Sequence, residues 1–74
     1  MNKGEQSYLV ALGAEIHKRR RVIGINQEVM ADKVGIARTH LIRIEAGQVA
    51  TTVLTLRKIA KQLGVKPEDL LKNL

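Results

Sequence analysis

The stretch Asn26–Gly47 reads NQEVMADKVGIARTHLIRIEAG. It predicts two short helices joined by a tight turn at Gly35, with the small Ala31 four positions earlier. Apolar residues fall at Met30, Val34, Ile36, Leu41 and Ile44, where two crossing helices would share an interior. A helix-turn-helix of this kind lets its second helix protrude far enough to enter the major groove of DNA. The face left outward carries Arg38, Thr39 and Arg43, side chains able to read base edges. Double-stranded DNA is therefore the first partner to consider.

The flanking sequence extends the helical pattern in both directions. Gly24, Gly35, Gly47 and Gly64 each follow a periodic segment, where a residue tolerant of positive φ ends a helix. A first helix is expected from about Ser7 to Val22, with Leu9, Leu12, Ile16 and then Ile23 at helical spacing. Ser7 or a neighbour caps it, and residues 1–6 are expected to be a flexible terminus. Asn26 caps the second helix, Gln27 to Val34, and Glu28 favours its first turn through the helix dipole. The third runs from Arg38 to Ala46. Thr52 caps a fourth, striped by Leu56, Ile59, Ala60 and Leu63. Pro67, followed by Glu68 and Asp69, opens a short fifth helix ending in Leu70, Leu71 and Leu74. No alternating strand pattern and no internal repeat occur. The expected fold is all-α, a five-helix bundle forming one domain over residues 7–74.

Composition narrows the function classes. The chain has 74 residues, no Cys, no Phe and no Trp, so an aliphatic core must suffice without disulfides or thiolate metal sites. That suits a small helical bundle, or an assembly stabilised by dimerising. Thirteen Lys and Arg against seven Asp and Glu give a formal charge of +6, which favours an anionic partner. The charge is uneven: residues 1–24 and 49–74 each carry +3, while residues 25–48 are neutral. A phosphate-gripping frame around a less charged reading element has that distribution; a solvated basic surface is the alternative. No apolar run approaches a membrane span and no signal-peptide core is present, so a cytoplasmic, soluble protein is expected. Catalysis has little support. The only Ser is Ser7, and His17 and His40 show neither a partner arrangement nor a short metal-ligand motif. No cofactor is expected.

Several residues in order carry a family likeness: Leu12-Gly13, Ile16, Arg20, Asn26-Gln27, Met30-Ala31, Gly35-Ile36, Leu41, Ile44-Glu45, Gly47, Leu56, Ile59-Ala60 and Leu63-Gly64-Val65. Together they resemble the lambda-repressor-like, Cro-type helix-turn-helix domains (the XRE family) of phage and bacterial regulators, over about residues 8–71. The resemblance implies a prokaryotic or phage source. It implies that Arg20 and Glu45 form a structural ion pair, so Arg20 is scaffold despite its place in Lys18-Arg19-Arg20-Arg21. The other cations of that run, Arg19 among them, are either phosphate contacts or helix-end charges. The family's base-reading positions correspond to Arg38, Thr39 and Arg43. Gln27 is implied to contact the DNA backbone and to buttress Arg38. Gln48, with the amides near Thr51 and Thr52, is a second candidate phosphate clamp. His40 is a phosphate or water contact, or a plain surface histidine.

Three departures from the family pattern stand out. Ala37 replaces the usual Ser or Thr cap of the third helix, Ile42 replaces a commonly small or polar residue, and Val53-Leu54 makes the fourth helix start unusually apolar. The last raises the prospect of a protein contact. One unit reads only a half-site, so a homodimer is expected through Val65, Leu70, Leu71 and Leu74, with Leu54 a further contributor. The alternative is that Leu70 and Leu71 close the monomer core. The expected function is a dimeric, sequence-specific transcription regulator on a two-half-site operator, with RNA polymerase a further partner through access or recruitment. Stand-alone size and Arg38-Thr39-His40 also resemble restriction–modification controller proteins; phage repressors and antitoxin-type regulators are the other subtypes. The rival reading is a protein-interaction adaptor that scarcely binds DNA.

Overall fold

The computed structural model describes residues 2–72 and 74. Five helices follow in order among them: α1 Lys3–Ile23, α2 Gln27–Val34, α3 Arg38–Glu45, α4 Val53–Leu63 and α5 Pro67–Leu71. No strand occurs among the described residues.

Local chemistry sets most boundaries. Asn26 caps α2 by accepting from the Val29 backbone N–H at 2.8 Å, and Thr52 caps α4 by accepting from Thr55 at 3.1 Å. The turn at Gly35 works as the sequence pattern requires. Gly35 has φ 80°, and its N–H and that of Ile36 both return to the Ala31 carbonyl, at 2.8 and 3.0 Å. This closure ends α2 and redirects the chain into α3.

The start of α1 differs from the expectation at Ser7. The helix begins four residues earlier because Asn2 accepts from the Glu5 backbone N–H at 2.8 Å and donates to its carboxylate at 2.9 Å. Ser7 lies inside the helix, and Met1 of the expected terminal segment lies outside the described residues. The third helix ends at Glu45, one residue short of the expected Ala46.

One core joins all five helices: Leu12 and Ile16 from α1, Met30, Ala31 and Val34 from α2, Leu41 and Ile44 from α3, Leu56, Ile59, Ala60 and Leu63 from α4, and Leu70 from α5. Ile36 is partly buried against it. Ile23, expected on the same stripe as Ile16, is exposed, because Arg20 takes the intervening buried place. Leu70 is 1 % exposed and closes the monomer core. It therefore leaves the set expected at a dimer interface. Gly13 matters for a different reason: a Cβ there would strike the backbone carbonyls of Ile44 and Glu45. Its absence brings α1 directly against the last turn of α3, and this contact fixes how α3 stands on the bundle.

Candidate nucleic-acid interface

On α3, the inward positions are Leu41, Ile44 and Glu45, all buried. With 3.6 residues per turn, Thr39 and Arg43 then occupy the centre of the opposite face. Arg38 and Ile42 lie on one flank of that face and His40 on the other. Arg38, Thr39, His40 and Arg43 are exposed. None of the two arginines pairs with a carboxylate among the described residues. The helix therefore presents two uncommitted guanidinium groups and a hydroxyl on a face left exposed among the described residues. Ala37 precedes it in extended conformation with no side-chain cap, so the first-turn N–H groups of α3 lack a side-chain partner there.

The buried end of the same helix is held by a hydrogen-bonded cluster. Arg20 donates from Nε to Glu45 Oε2 at 2.8 Å and from Nη2 to Oε1 at 3.0 Å. Its Nη1 donates to the Ile25 carbonyl at 2.8 Å, so the guanidinium ties α1 to α3 and to the α1–α2 connection at once. The pair is bidentate and nearly dry: the side chains are 8 % and 4 % exposed. Gln27 Nε2 adds a donor to Glu45 Oε1 at 3.1 Å, and His17 Nδ1 lies 2.9 Å from the same oxygen. Burial opposes ionisation of Glu45. The hydrogen bonds from Arg20, His17 and Gln27, with the Arg20 charge, outweigh it and hold the carboxyl below its ordinary pKa. No buried side-chain polar atom among the described residues lacks a partner.

Two members of this cluster go beyond the sequence reading. His17 has a partner after all, and the signal was present: three residues before Arg20 on one helix, it shares that arginine's face. His17 Nδ1 is also 3.1 Å from Arg20 Nη2. It can donate to Glu45 or accept from Arg20, not both, and the shorter contact to the carboxylate favours donation. Gln27 is bonded to Glu45 rather than to Arg38. One amide N–H is thereby committed, and the other has no protein acceptor among the described residues. A shallow hollow beside it is lined by Ala14, His17, Ile42 and Ala46, which places Ile42 next to Gln27 at the flank of the outward face of α3.

The remaining expected contacts are spread more widely. Gln48 spends its backbone N–H on the Arg43 carbonyl at 2.9 Å, which leaves only its exposed side chain available. The Thr52 hydroxyl accepts as the α4 cap and retains its own proton for donation. Arg19 is bonded within its own helix. Its Nε donates to Glu15 at 2.7 Å, and both residues border a groove with Lys18, Val22 and Leu63. At the far end of the molecule Val65 is half-buried, while Leu71 and Leu74 are exposed. No helix of the described residues is long and apolar enough to cross a membrane.

Comparisons with known proteins agree with this geometry. Residues 16–70 match the family HTH_3, described as helix-turn-helix. The chain is similar to an uncharacterized HTH-type transcriptional regulator of Methanothermobacter thermautotrophicus, 33 % identical over 49 residues, covering 66 % of this chain and 71 % of that protein. A second such regulator, from Methanocaldococcus jannaschii, is 39 % identical over 51 residues, covering 69 % and 77 %. Among solved structures, the restriction-modification controller protein C.AhdI from Aeromonas hydrophila superposes with a TM-score of 0.84 at 28 % identity. That match covers 86 % of this chain and 97 % of the controller. An HTH_3 family transcriptional regulator from Vibrio cholerae shares the fold, with a TM-score of 0.83 at 23 % identity, over 93 % of this chain and 39 % of that one.

Proposed function

The chain belongs to the HTH_3 helix-turn-helix family and is a DNA-binding transcriptional regulator of that type, and from this premise we propose that it acts as a homodimer on a two-half-site operator with α3 of each protomer in the major groove. The observation that carries this reading is the outward face of α3, where Arg38, Thr39 and Arg43 stand free opposite a buried, ion-paired anchor.

Each arginine can bond bidentately to guanine O6 and N7, and Thr39 can meet a thymine methyl or exchange a hydrogen bond. Since the helix-turn-helix is neutral overall, the two flanking segments of +3 supply the charge that attracts DNA. The second amide N–H of Gln27, the side chains of Gln48 and His40, and the Thr52 hydroxyl grip phosphates and set the register. Arg19, bonded to Glu15 through Nε alone, keeps its two Nη groups for a phosphate as a further contact. Val65, Leu71 and Leu74, with Leu54, supply the dimer contact. A two-fold pair places the recognition helices about 34 Å apart, on successive major grooves. Occupying such a site controls access or recruitment of RNA polymerase. The likeness to C.AhdI favours the controller-type subtype over a phage repressor or an antitoxin-type regulator.

Selection of binding sites from random DNA, followed by a salt titration, tests this reading. The expected result is a symmetric pair of half-sites and an affinity that falls steeply as salt rises. Weak, sequence-independent binding at every salt concentration would favour the second reading, an adaptor module with little DNA binding. That reading draws on Val53 and Leu54, which are 85 % and 59 % exposed.

A further inference from the structure

His17 has two ring nitrogens, and the hydrogen-bonded cluster around Glu45 uses one of them. Nδ1 lies 2.9 Å from Glu45 Oε1 and 3.1 Å from Arg20 Nη2, while Nε2 makes no hydrogen bond within the protein. No buried side-chain polar atom among the described residues lacks a partner, so Nε2 is open to solvent. The side chain as a whole is 45 % exposed. His17 lines the hollow shared with Gln27, Ile42 and Ala46, at the flank of the outward face of α3. One ring thus joins the buried anchor of α3 to the surface where Gln27 is proposed to grip a phosphate. Arg21, one turn further along the same side of α1, is exposed and has no ion-pair partner among the described residues.

We propose that His17 is a proton-gated DNA contact, donating from Nε2 to a backbone phosphate only when its ring is protonated. The proposal rests on the DNA-binding reading above and adds to it a contact from α1. The tautomer makes the gate. An ionised Glu45 carboxylate can only accept, so it keeps the single proton of the neutral ring on Nδ1. Nε2 then carries a lone pair, which repels a phosphate oxygen. A second proton leaves the bond to Glu45 in place, turns Nε2 into a donor and sets a cation against the phosphate. The charged groups around the ring pull in both directions. Glu45 of α3 favours the protonated form, Arg20 and Arg21 of its own helix oppose it, and Gln27 of α2 is neutral. Ala14, Ile42 and Ala46 complete the hollow without a titratable group. A phosphate oxygen placed at Nε2 adds to the pull of Glu45 and favours the cation. Binding therefore takes up protons, to a limit of one per protomer, and by linkage affinity rises as pH falls through the imidazole range.

The chain has two histidines, so a His40→Gln background leaves His17 as its one imidazole. Binding of that full chain to a duplex selected from random DNA is followed by fluorescence anisotropy at fixed salt, between about pH 7.5 and pH 5.5. Affinity should rise about tenfold per protomer across this range, the worth of one charge-assisted hydrogen bond. His17→Asn in the same background keeps an amide donor where Nδ1 stood and removes Nε2, so the rise should vanish. Thermal melts by circular dichroism verify that the variant folds. Replacing single phosphates with uncharged methylphosphonates reads the contact without touching His17, and one position in each half-site should flatten the response. A flat profile before His17 is changed, a rise that survives His17→Asn, or a rise that no single methylphosphonate removes overturns the contact and leaves DNA binding standing. A parent chain without sequence-specific binding at any pH overturns the DNA reading and this inference with it.

Discussion

Arg20 and Arg43 are both arginines in a basic protein, yet their surroundings give them opposite tasks. Arg20 is buried, with donors on Glu45 and the Ile25 carbonyl, so its charge is consumed by the scaffold. Arg20→Ala strands a buried carboxylate and should cost about 3–5 kcal/mol of stability, read by urea denaturation. An unchanged stability with lost DNA binding would reverse that assignment. Arg43 is exposed at the centre of the outward face of α3. Arg43→Ala should leave stability nearly unchanged and cost about 1–3 kcal/mol of binding on the preferred site, relaxing preference at particular bases. Equal weakening on every duplex would assign Arg43 to phosphate instead. Glu45 gives the pair a pH signature. Its carboxyl is held below its ordinary pKa, so its stabilisation is present in full above the unfolded-state value and is lost as pH falls through the folded-state value. The difference in unfolding free energy between the parent and Glu45→Gln should accordingly be largest near neutrality and shrink in acid.

At the scale of elements, α3 is the helix with the least local support. It has eight residues and no side-chain cap, whereas α2 and α4 are capped by Asn26 and Thr52. Its position comes from tertiary contacts: Leu41 and Ile44 in the core, Glu45 in the ion-pair cluster, and the close approach permitted by Gly13. A helix held by its buried face leaves its outward residues free of any structural task. Ala37 has φ −65° and ψ 144°, a conformation a capping residue also adopts. Ala37→Ser should therefore stabilise the protein by about 1 kcal/mol, read by chemical denaturation. No gain would mean that the first-turn N–H groups are already satisfied by water. The element boundaries were largely legible from caps and glycines. The beginning of α1 was not, because an Asn2–Glu5 cap only four residues from the start of the sequence looks like any polar terminus until the helix that it caps is seen.

For the whole molecule, the balance between size and charge governs behaviour. The core is built from small aliphatic residues and one methionine, without an aromatic or a disulfide. Such a core leaves a modest margin of stability, to which the dimer proposed above would add by mass action. The melting temperature should consequently rise with protein concentration, as followed by differential scanning calorimetry. A value independent of concentration would mean that folding and assembly are uncoupled. The charge is divided along the chain as well: residues 25–48 are neutral and lie between two segments that each carry +3.

The sequence by itself determined the all-α architecture, the turn at Gly35, the caps at Asn26 and Thr52, and the outward residues of α3. Those features depend on contacts within four residues, and helical periodicity encodes them directly. Only the tertiary structure decided how the charged and apolar surface residues are used. It placed His17 and Gln27 on Glu45, held Arg19 on Glu15, and turned Leu70 into the core while leaving Leu71 outside. The pairings with Glu45 join residues 18 to 28 positions apart, which spacing along the chain does not encode. The face that Leu70 turns inward follows from where α5 lies against the bundle, not from its five residues alone. The outward helix α3 was thus visible in Asn26–Gly47, and what steadies it became visible only when α1 was folded against it.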